Sequence, residues 1–129
     1  MKKRILITAG ILLWSILSLT ASADDKRVYI EPVKMRVTCY LPTGNKTADG
    51  TVPYEGICAA KREWIGKVAV LYDMDMQYLG CWEIRDTGGH ARIKNGTSVD
   101  LFMENMEHAR AWIAAHGDYC FVQIIEAEG

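Results

Sequence analysis

Short hydrophobic runs in which every second side chain is apolar most strongly limit what this 129-residue chain can fold into. Such runs are rich in β-branched and aromatic residues and end at Gly- or Pro-containing turns, a pattern typical of β-strands. Only Glu104 to His116 repeats apolar residues at three-to-four spacing, and Gly117 is its stop signal. We read residues 99–103 as the approach to that helix. The predicted strands are residues 35–41, 57–60, 67–73, 77–86 and 119–127, with 24–34 as a charged lead-in strand or tail.

No regular alternation of strand and helix is present, which excludes a parallel α/β sheet. The pattern predicts a mainly β fold, a small barrel or sandwich of about six short strands with one α-helix. A long segment between the first two predicted strands, residues 42–56, is rich in Gly, Pro, Asn, Asp and Thr. Surface loops of this length are usually functional or disordered.

The first 23 residues have the features of a signal peptide. A positive start at Lys2, Lys3 and Arg4 precedes an apolar stretch, and Ala21-Ser22-Ala23 is a small-residue cleavage site. The apolar stretch is short for a membrane span of about 20 residues. We therefore expect cleavage after Ala23 and a secreted or cell-wall-associated bacterial protein, with a retained anchor as the alternative. Residues 24–34 would then be a lead-in, and 35–129 the barrel domain.

Charge narrows the class of partner. Cleavage would remove three of the 15 Lys and Arg residues and none of the 16 acidic ones, leaving a net charge of −4. No cluster of basic residues remains, and nucleic-acid binding depends on such clusters. We predict neither nucleic-acid binding nor membrane attachment after cleavage.

Four cysteines in a small exported domain suggest disulfides. Their sequence spacing leaves all three pairings open; we prefer a cross-strand bridge between Cys81 and Cys120, and free buried thiols are the alternative. The chain contains no Cys-x-x-Cys, and its three histidines do not cluster with the cysteines. We therefore predict no structural zinc, and no cofactor.

Two aspartates are the candidate chemical groups. Asp86 opens a turn with Thr87, Gly88 and Gly89, while Asp100 has apolar neighbours in sequence. Desolvation and repulsion from Asp86 would raise the pKa of Asp100, so that it could act as a general acid. The glycines would let a substrate approach backbone N–H groups closely. The alternative is purely structural, with both aspartates serving turns or helix caps.

The stretch "EIRDTGG…IKNGTSVDLF" resembles the signature of the three-aspartate (3D) domain. That domain is a double-psi β-barrel module of exported bacterial proteins, related to the C-terminal part of membrane-bound lytic transglycosylase A, to rare lipoprotein A and to expansins. The upstream segments "VTCY" and "KTADGT" resemble its opening strand and loop, so the similarity covers residues 36–126. The matching segments are 86–89, 93–94 and 99–102.

The resemblance implies a six-stranded double-psi β-barrel with one helix and a carbohydrate groove. Asp100 would be the catalytic general acid and base, and Asp86 would orient the sugar or tune Asp100. The implied groove residues, with Tyr40 as a stacking surface, are Tyr40, Thr47, Thr87, Gly88, Gly89 and Lys94.

Two departures from the family pattern are visible. Ala60 stands where the first of the three aspartates is expected, with Asp49 a conceivable substitute. The stretch between the other two aspartates is about three residues longer than usual. Only two of the three aspartates carry over.

Aromatic residues and one histidine are further candidates for ligand contacts. We expect Trp64 to be the exposed ring, Trp112 to belong to the core, and Trp82 to lie on one strand face that the sequence does not identify. His90 is either a solvated loop residue or a substrate contact.

These features predict an exported peptidoglycan-active protein that cleaves glycan strands in the manner of lytic transglycosylases. The alternative is a non-catalytic, expansin-like module that grips wall glycan. A third class is an exported scaffold or inhibitor that binds a protein partner.

Overall fold

The structure is a computed structural model that describes residues 28–127, so the predicted signal peptide lies outside the described residues. Within this range the strands are β1 (Val28–Tyr40), β2 (Ile57–Ala59), β3 (Val68–Tyr72), β4 (Tyr78–Asp86), β5 (Ser98–Phe102) and β6 (Tyr119–Ile125). The helices are α1 (Ala91–Asn95) and α2 (Met106–His116), and a 3-10 turn spans Arg62–Trp64. No helix among the described residues is long and apolar enough to cross a membrane.

The strands close into a barrel in the order β1-β5-β2-β4-β3-β6. Two neighbouring pairs, β1 with β5 and β2 with β4, run parallel, and the other pairs are antiparallel. The predicted mainly β fold, a six-stranded barrel with few helices, is confirmed. Its identification as a double-psi barrel stays a prediction.

The core is formed by apolar side chains at every second position along the strands. In β1, Met35 and Val37 are buried and face the interior, and Val37 pairs with the equally buried Val99 of β5. Each fully buried aliphatic side chain contributes about 1.5–3 kcal/mol relative to an exposed one. The other fully buried residues of the barrel interior include Leu71, Ile84, Leu101, Val122 and Ile124.

Two strand predictions need correction. Residues 28–34, predicted as a lead-in outside the barrel domain, belong to β1 and pair with β6. Residues 98–102, predicted to lead into the helix, form β5, which pairs with β1 on one side and β2 on the other. These residues form a strand because their apolar side chains alternate with a period of two, which buries Val99 and Leu101 on one face.

The helix prediction was right in place and too long at its start. Helix α2 begins at Met106 because Asn105 is its N-cap, with the Asn105 side chain accepting a hydrogen bond from the His108 N–H at 2.8 Å. The prediction of one helix is confirmed by α2, the one helix of seven or more residues within 28–127; the sequence did not predict the five-residue α1. It is capped by the His90 side chain, which accepts from the Arg92 N–H at 3.1 Å, and by Gly96 in the left-handed conformation.

The predicted Cys81–Cys120 disulfide is not formed, and the four described cysteines are free thiols. Strand β3 lies between β4, which carries Cys81, and β6, which carries Cys120. Cys81 is exposed whereas Cys120 is buried, so the two sulfurs face different environments. Burial raises the pKa of Cys120 to about 11, so it stays a neutral thiol near pH 7.

Candidate functional site

The two candidate aspartates lie on the same outer face of the barrel. Ala59 of β2 pairs with Asp86 of β4 on one side and with Asp100 of β5 on the other. Because paired residues in neighbouring strands project from the same face, both carboxylates flank the small Ala59 side chain. They line an open cleft of about 260 Å³. Strand pairing thus brings together Asp86 and Asp100, which are fourteen residues apart in the sequence.

Asp86 is held by three donors. Its Oδ1 accepts hydrogen bonds from the N–H groups of Ala48 and Thr87, both at 2.9 Å, and its Oδ2 accepts one from the Tyr40 hydroxyl at 3.1 Å. Burial and then the charge of Asp86 raise the pKa of Tyr40 above its usual range, so this hydroxyl stays a donor. The carboxylate is therefore fixed in orientation.

Among the described residues, Asp100 has a single side-chain partner, the Thr38 hydroxyl, which donates to Oδ1 at 2.8 Å. Burial raises the pKa of the Asp100 carboxyl, and the nearby charge of Asp86 raises it further, against the opposing effect of the Thr38 hydrogen bond. The direction and both causes agree with the prediction from the sequence, but the groups that bury Asp100 differ. Val99 and Leu101 face the core, so Asp100 is buried by the strands on either side of it.

Tyr40 and Phe102 supply the aromatic surface of the cleft. They pair across β1 and β5, with ring centroids 5.4 Å apart in an edge-to-face arrangement, and both line the cleft. Sequence reasoning selected Tyr40 and missed Phe102. The alternation of β5 could have identified it, because Phe102 is two residues from Asp100 and shares its face.

The position that the family pattern reserves for its first aspartate is not in the cleft. Ala60 is fully buried in the hydrophobic core, whereas Ala59 lines the cleft between the two carboxylates. An acidic side chain added to this strand would therefore reach the cleft from position 59, not 60. The alignment of Ala60 with the first aspartate of the family pattern stays a prediction.

The loop 42–56 forms one wall of the cleft, but Thr47 and Asp49 lie outside the cleft lining. Thr47 is buried and donates a hydrogen bond to Asp49 at 2.7 Å, and Asp49 also accepts from the Thr51 hydroxyl at 2.6 Å and from Arg85 at 3.3 Å. The hydrogen bond from Thr51 is the largest cause that lowers the pKa of Asp49 to about 2. Asp49 stabilises the loop and does not replace the missing aspartate.

Thr87, Gly88 and Gly89 line the aspartate cleft and also a second cleft of about 560 Å³ next to it. Lys94, predicted as a groove residue, lines only this second cleft. His90 lines the first cleft while its ring caps α1.

The three tryptophans within residues 28–127 lie outside the lining of both clefts. Trp64 is only 6% exposed, so the prediction that it is the exposed ring was wrong. Trp82 and Trp112 pack edge-to-face with centroids 5.2 Å apart and both contact the core.

Among residues 28–127, no three His, Cys, Asp or Glu side chains lie close enough together to hold a metal ion. No protein-family model matches the chain, and no curated protein is significantly similar to it.

Proposed function

We propose that this chain is an exported peptidoglycan-active protein with a 3D-type double-psi barrel, which cleaves glycan strands as a lytic transglycosylase does. The observation that carries the proposal is the Asp100 carboxyl, largely buried and with a raised pKa, in an open cleft beside Asp86 and the Tyr40 ring. A carboxyl whose pKa is raised, in an aromatic-lined cleft, suits cleavage of a glycosidic bond by acid catalysis.

In the proposed reaction, Asp100 donates its proton to the glycosidic oxygen as the bond to C1 of the muramic acid breaks. The C6 hydroxyl of the same sugar attacks C1, and its proton passes to the Asp100 carboxylate. The products are a free hydroxyl on the leaving sugar and a 1,6-anhydro ring, and Asp100 is protonated again. No second nucleophile is needed. Asp86, fixed by three donors, would orient the sugar hydroxyls, and Tyr40 would stack on a ring.

A second candidate is a non-catalytic module that binds wall glycan. Two observations favour it: three protein donors already hold Asp86, and Ala59 brings no third carboxylate to the cleft. Such a cleft would grip glycan without cutting it.

The test is Asp100→Asn assayed on purified peptidoglycan, with mass spectrometry of the released fragments. We expect wild type to release 1,6-anhydromuropeptides, and the variant to lose about 10²- to 10⁴-fold in rate, which is the usual contribution of general acid–base catalysis. Binding to sedimented peptidoglycan should remain. The matched control is Asp75→Asn, an exposed aspartate in the turn between β3 and β4.

Equal rates for wild type and Asp100→Asn would contradict the catalytic proposal. A wild type that sediments with peptidoglycan but releases no fragments would establish the binding module instead. Failure to bind peptidoglycan at all would reject both and favour a protein-binding scaffold.

A further inference from the structure

The second cleft has a different character from the aspartate cleft. It lies across the Thr87–Gly89 segment, which both clefts share, and the rest of its lining comes from Ala48, Arg62, Glu63 and Lys94. Arg62 and Glu63 belong to the 3-10 turn after β2, and Lys94 belongs to α1. A long ligand seated beside Asp100 would pass over the shared segment into this cleft.

Positive charge predominates in the second cleft. Arg62 and Lys94 are exposed, and within residues 28–127 neither forms a salt bridge. Glu63 is the one acidic side chain in the cleft lining, so the two cations leave a formal excess of one positive charge. Because Arg62 and Lys94 form no salt bridge with the described residues, both cations can pair with an anionic ligand.

The backbone of the shared segment adds donors. Neither the Gly88 nor the Gly89 N–H donates to a backbone carbonyl of the described residues. No heavy atom would lie within 4 Å of a Cβ at either position, so the segment is open to solvent. A ligand oxygen can therefore approach these N–H groups closely.

Packing between two short elements brings the backbones that carry the two cations to one cleft. The buried Trp64 ring, in the same turn as Arg62, lies against Gly96, two residues after Lys94; a Cβ at position 96 would be 3.1 Å from the ring. Because the turn packs against the residue that caps α1, Arg62 and Lys94 both line the second cleft.

We propose that Arg62 and Lys94 form a subsite for a carboxylate carried by the glycan strand. This rests on the proposed function for the choice of glycan. Arginine offers a planar pair of donors that suits a carboxylate, and lysine offers a compact charge beside it. Muramic acid carries this chemistry on its lactyl group or, when peptide is attached, on the stem peptide. The subsite makes the protein selective for acidic glycans over neutral ones.

The experiment measures Kd for three phosphate-free probes: neutral chitooligosaccharide, glycan strands with peptide stems removed, and strands that keep them. We expect both acidic probes to bind more tightly than the neutral one. The double variant Arg62→Gln/Lys94→Gln should weaken acidic binding by about threefold to tenfold, as expected for two exposed ion pairs. Binding of the neutral probe should not change.

Two controls separate charge from altered packing. Glu63→Gln should change Kd in the opposite sense and tighten acidic binding, because it removes the one repelling group. Lys34→Gln/Arg110→Gln removes two charges from β1 and α2, outside both clefts, and should leave the three affinities unchanged. Circular dichroism checks that each variant is folded.

If the double variant weakens binding of stem-free strands, the subsite binds the lactyl carboxylate. If it weakens binding of stem-bearing strands alone, the subsite binds a carboxylate of the peptide. Wild-type binding that is equal for neutral and acidic probes, or unaffected by the double variant, would overturn the subsite and leave the proposed function standing. Failure of wild type to bind any strand would overturn both.

Discussion

Asp86 and Asp100 are the same residue type on the same face of the barrel, yet their surroundings give them different capacities. Three donors surround Asp86, and two of them are backbone N–H groups that cannot move away. Asp100 accepts one hydrogen bond from a hydroxyl, and its burial raises its pKa. A carboxylate fixed by hydrogen bonds beside a carboxyl whose pKa is raised suits one positioning group and one proton donor.

This difference makes a prediction about stability at the residue scale. The pKa of Asp100 is higher in the folded than in the unfolded chain, so its contribution to stability is lost as pH rises through that folded-state pKa. Asp100→Asn removes the buried charge, and its amide oxygen can still accept from Thr38. We expect its Tm to exceed that of wild type by a few degrees at pH 7–8, since about 1 kcal/mol shifts Tm by roughly 4–8 °C in such a domain.

The measurement is calorimetry of wild type, Asp100→Asn and Asp75→Asn at pH 3 and pH 8. The gain should disappear at pH 3, where the wild-type carboxyl is protonated in both states, and Asp75→Asn should match wild type at both pH values. A lower Tm for Asp100→Asn at pH 8 would contradict the assignment of Asp100 as a destabilised carboxyl.

The sequence identified both aspartates but not the strand pairing that brings them together. A register shift in the pairing of β2 with β4 places Cys58 opposite Ile84 and Ala59 opposite Asp86, so Arg85 is an extra residue in β4. A bulge of this kind changes which side chains share a face, and no sequence spacing records it. The sequence alone therefore does not show that both carboxylates lie beside Ala59.

At the scale of elements, strands with clear alternation were predicted well, and short elements were not. Residues 67–73 and 77–86 form β3 and β4, joined by the expected hairpin. Helix α1 has five residues, too few to show helical periodicity between the Gly-rich turn and Gly96. Trp64 was misjudged because the charged residues before it suggested exposure, whereas the 3-10 turn directs its ring inward.

The contact between these short elements can be tested with two glycines. Gly96→Ala introduces a Cβ at 3.1 Å from the Trp64 ring, at a backbone φ of +76°. Gly44→Ala has a similar φ of +88° but no atom within 4 Å. A left-handed conformation costs about 1–2 kcal/mol for an ordinary residue, so both variants lose this amount and Gly96→Ala loses more.

Urea unfolding gives the comparison directly. We expect a lower midpoint for Gly96→Ala than for Gly44→Ala, and weaker binding of acidic glycan in Gly96→Ala alone, since only that change displaces the turn carrying Arg62. Equal midpoints for the two variants would show that the Trp64 contact adapts without loss.

Across the whole molecule, the loop 42–56 is attached to β4 through Ala48 and Asp49, and its last residues make two further contacts. On one side, Tyr54 donates to Glu83 of β4 at 2.6 Å. On the other, Glu55 accepts from the Glu104 N–H at 2.8 Å and contacts the His108 Nδ1 at 2.6 Å. The wall of the cleft is thereby linked both to the barrel and to α2. Neither attachment was visible in the sequence, because the partners are separated by 29 and 53 residues.

The attachment to α2 predicts a pH dependence. Its hydrogen bond with Glu55 raises the pKa of His108 above 6.5, and acceptance from the Glu104 N–H and His108 lowers that of Glu55 below 4.5. The contribution of His108 to the stability of this attachment is complete below pH 6.5 and is lost as pH rises through its raised pKa. The contribution of Glu55 is complete above pH 4.5 and is lost as pH falls through its lowered pKa. The loop should therefore be held most firmly between about pH 4.5 and 6.5.

Hydrogen exchange of residues 42–56, corrected for intrinsic rates, would measure this attachment at pH 5.5 and pH 8. We expect protection to fall at pH 8 in wild type, and His108→Gln to be weakly protected at both pH values. Backbone amides near the Tyr54 contact should stay protected in both proteins. A wild-type loop with the same protection at both pH values would show that the ion pair does not hold it.

Closure of the barrel was predicted from the number of strands and from the family resemblance, not from any single strand. It depends on β1, whose first half pairs with β6 and whose second half pairs with β5. Which strand lies beside which is set by contacts between distant residues. Local periodicity carries no information about them, so the order of strands required the structure.

The length of β1 also determines how this protein could be attached to something else. Its first residue, Val28, pairs with Ile125 near the end of β6, while its last, Tyr40, lines the aspartate cleft. Twelve steps of about 3.3 Å separate those two ends, a distance of up to about 40 Å. A tag, linker or immobilising surface joined before Val28 or after Ile125 would start at the end of the barrel remote from the cleft. Either attachment would leave the cleft open to a large ligand in solution.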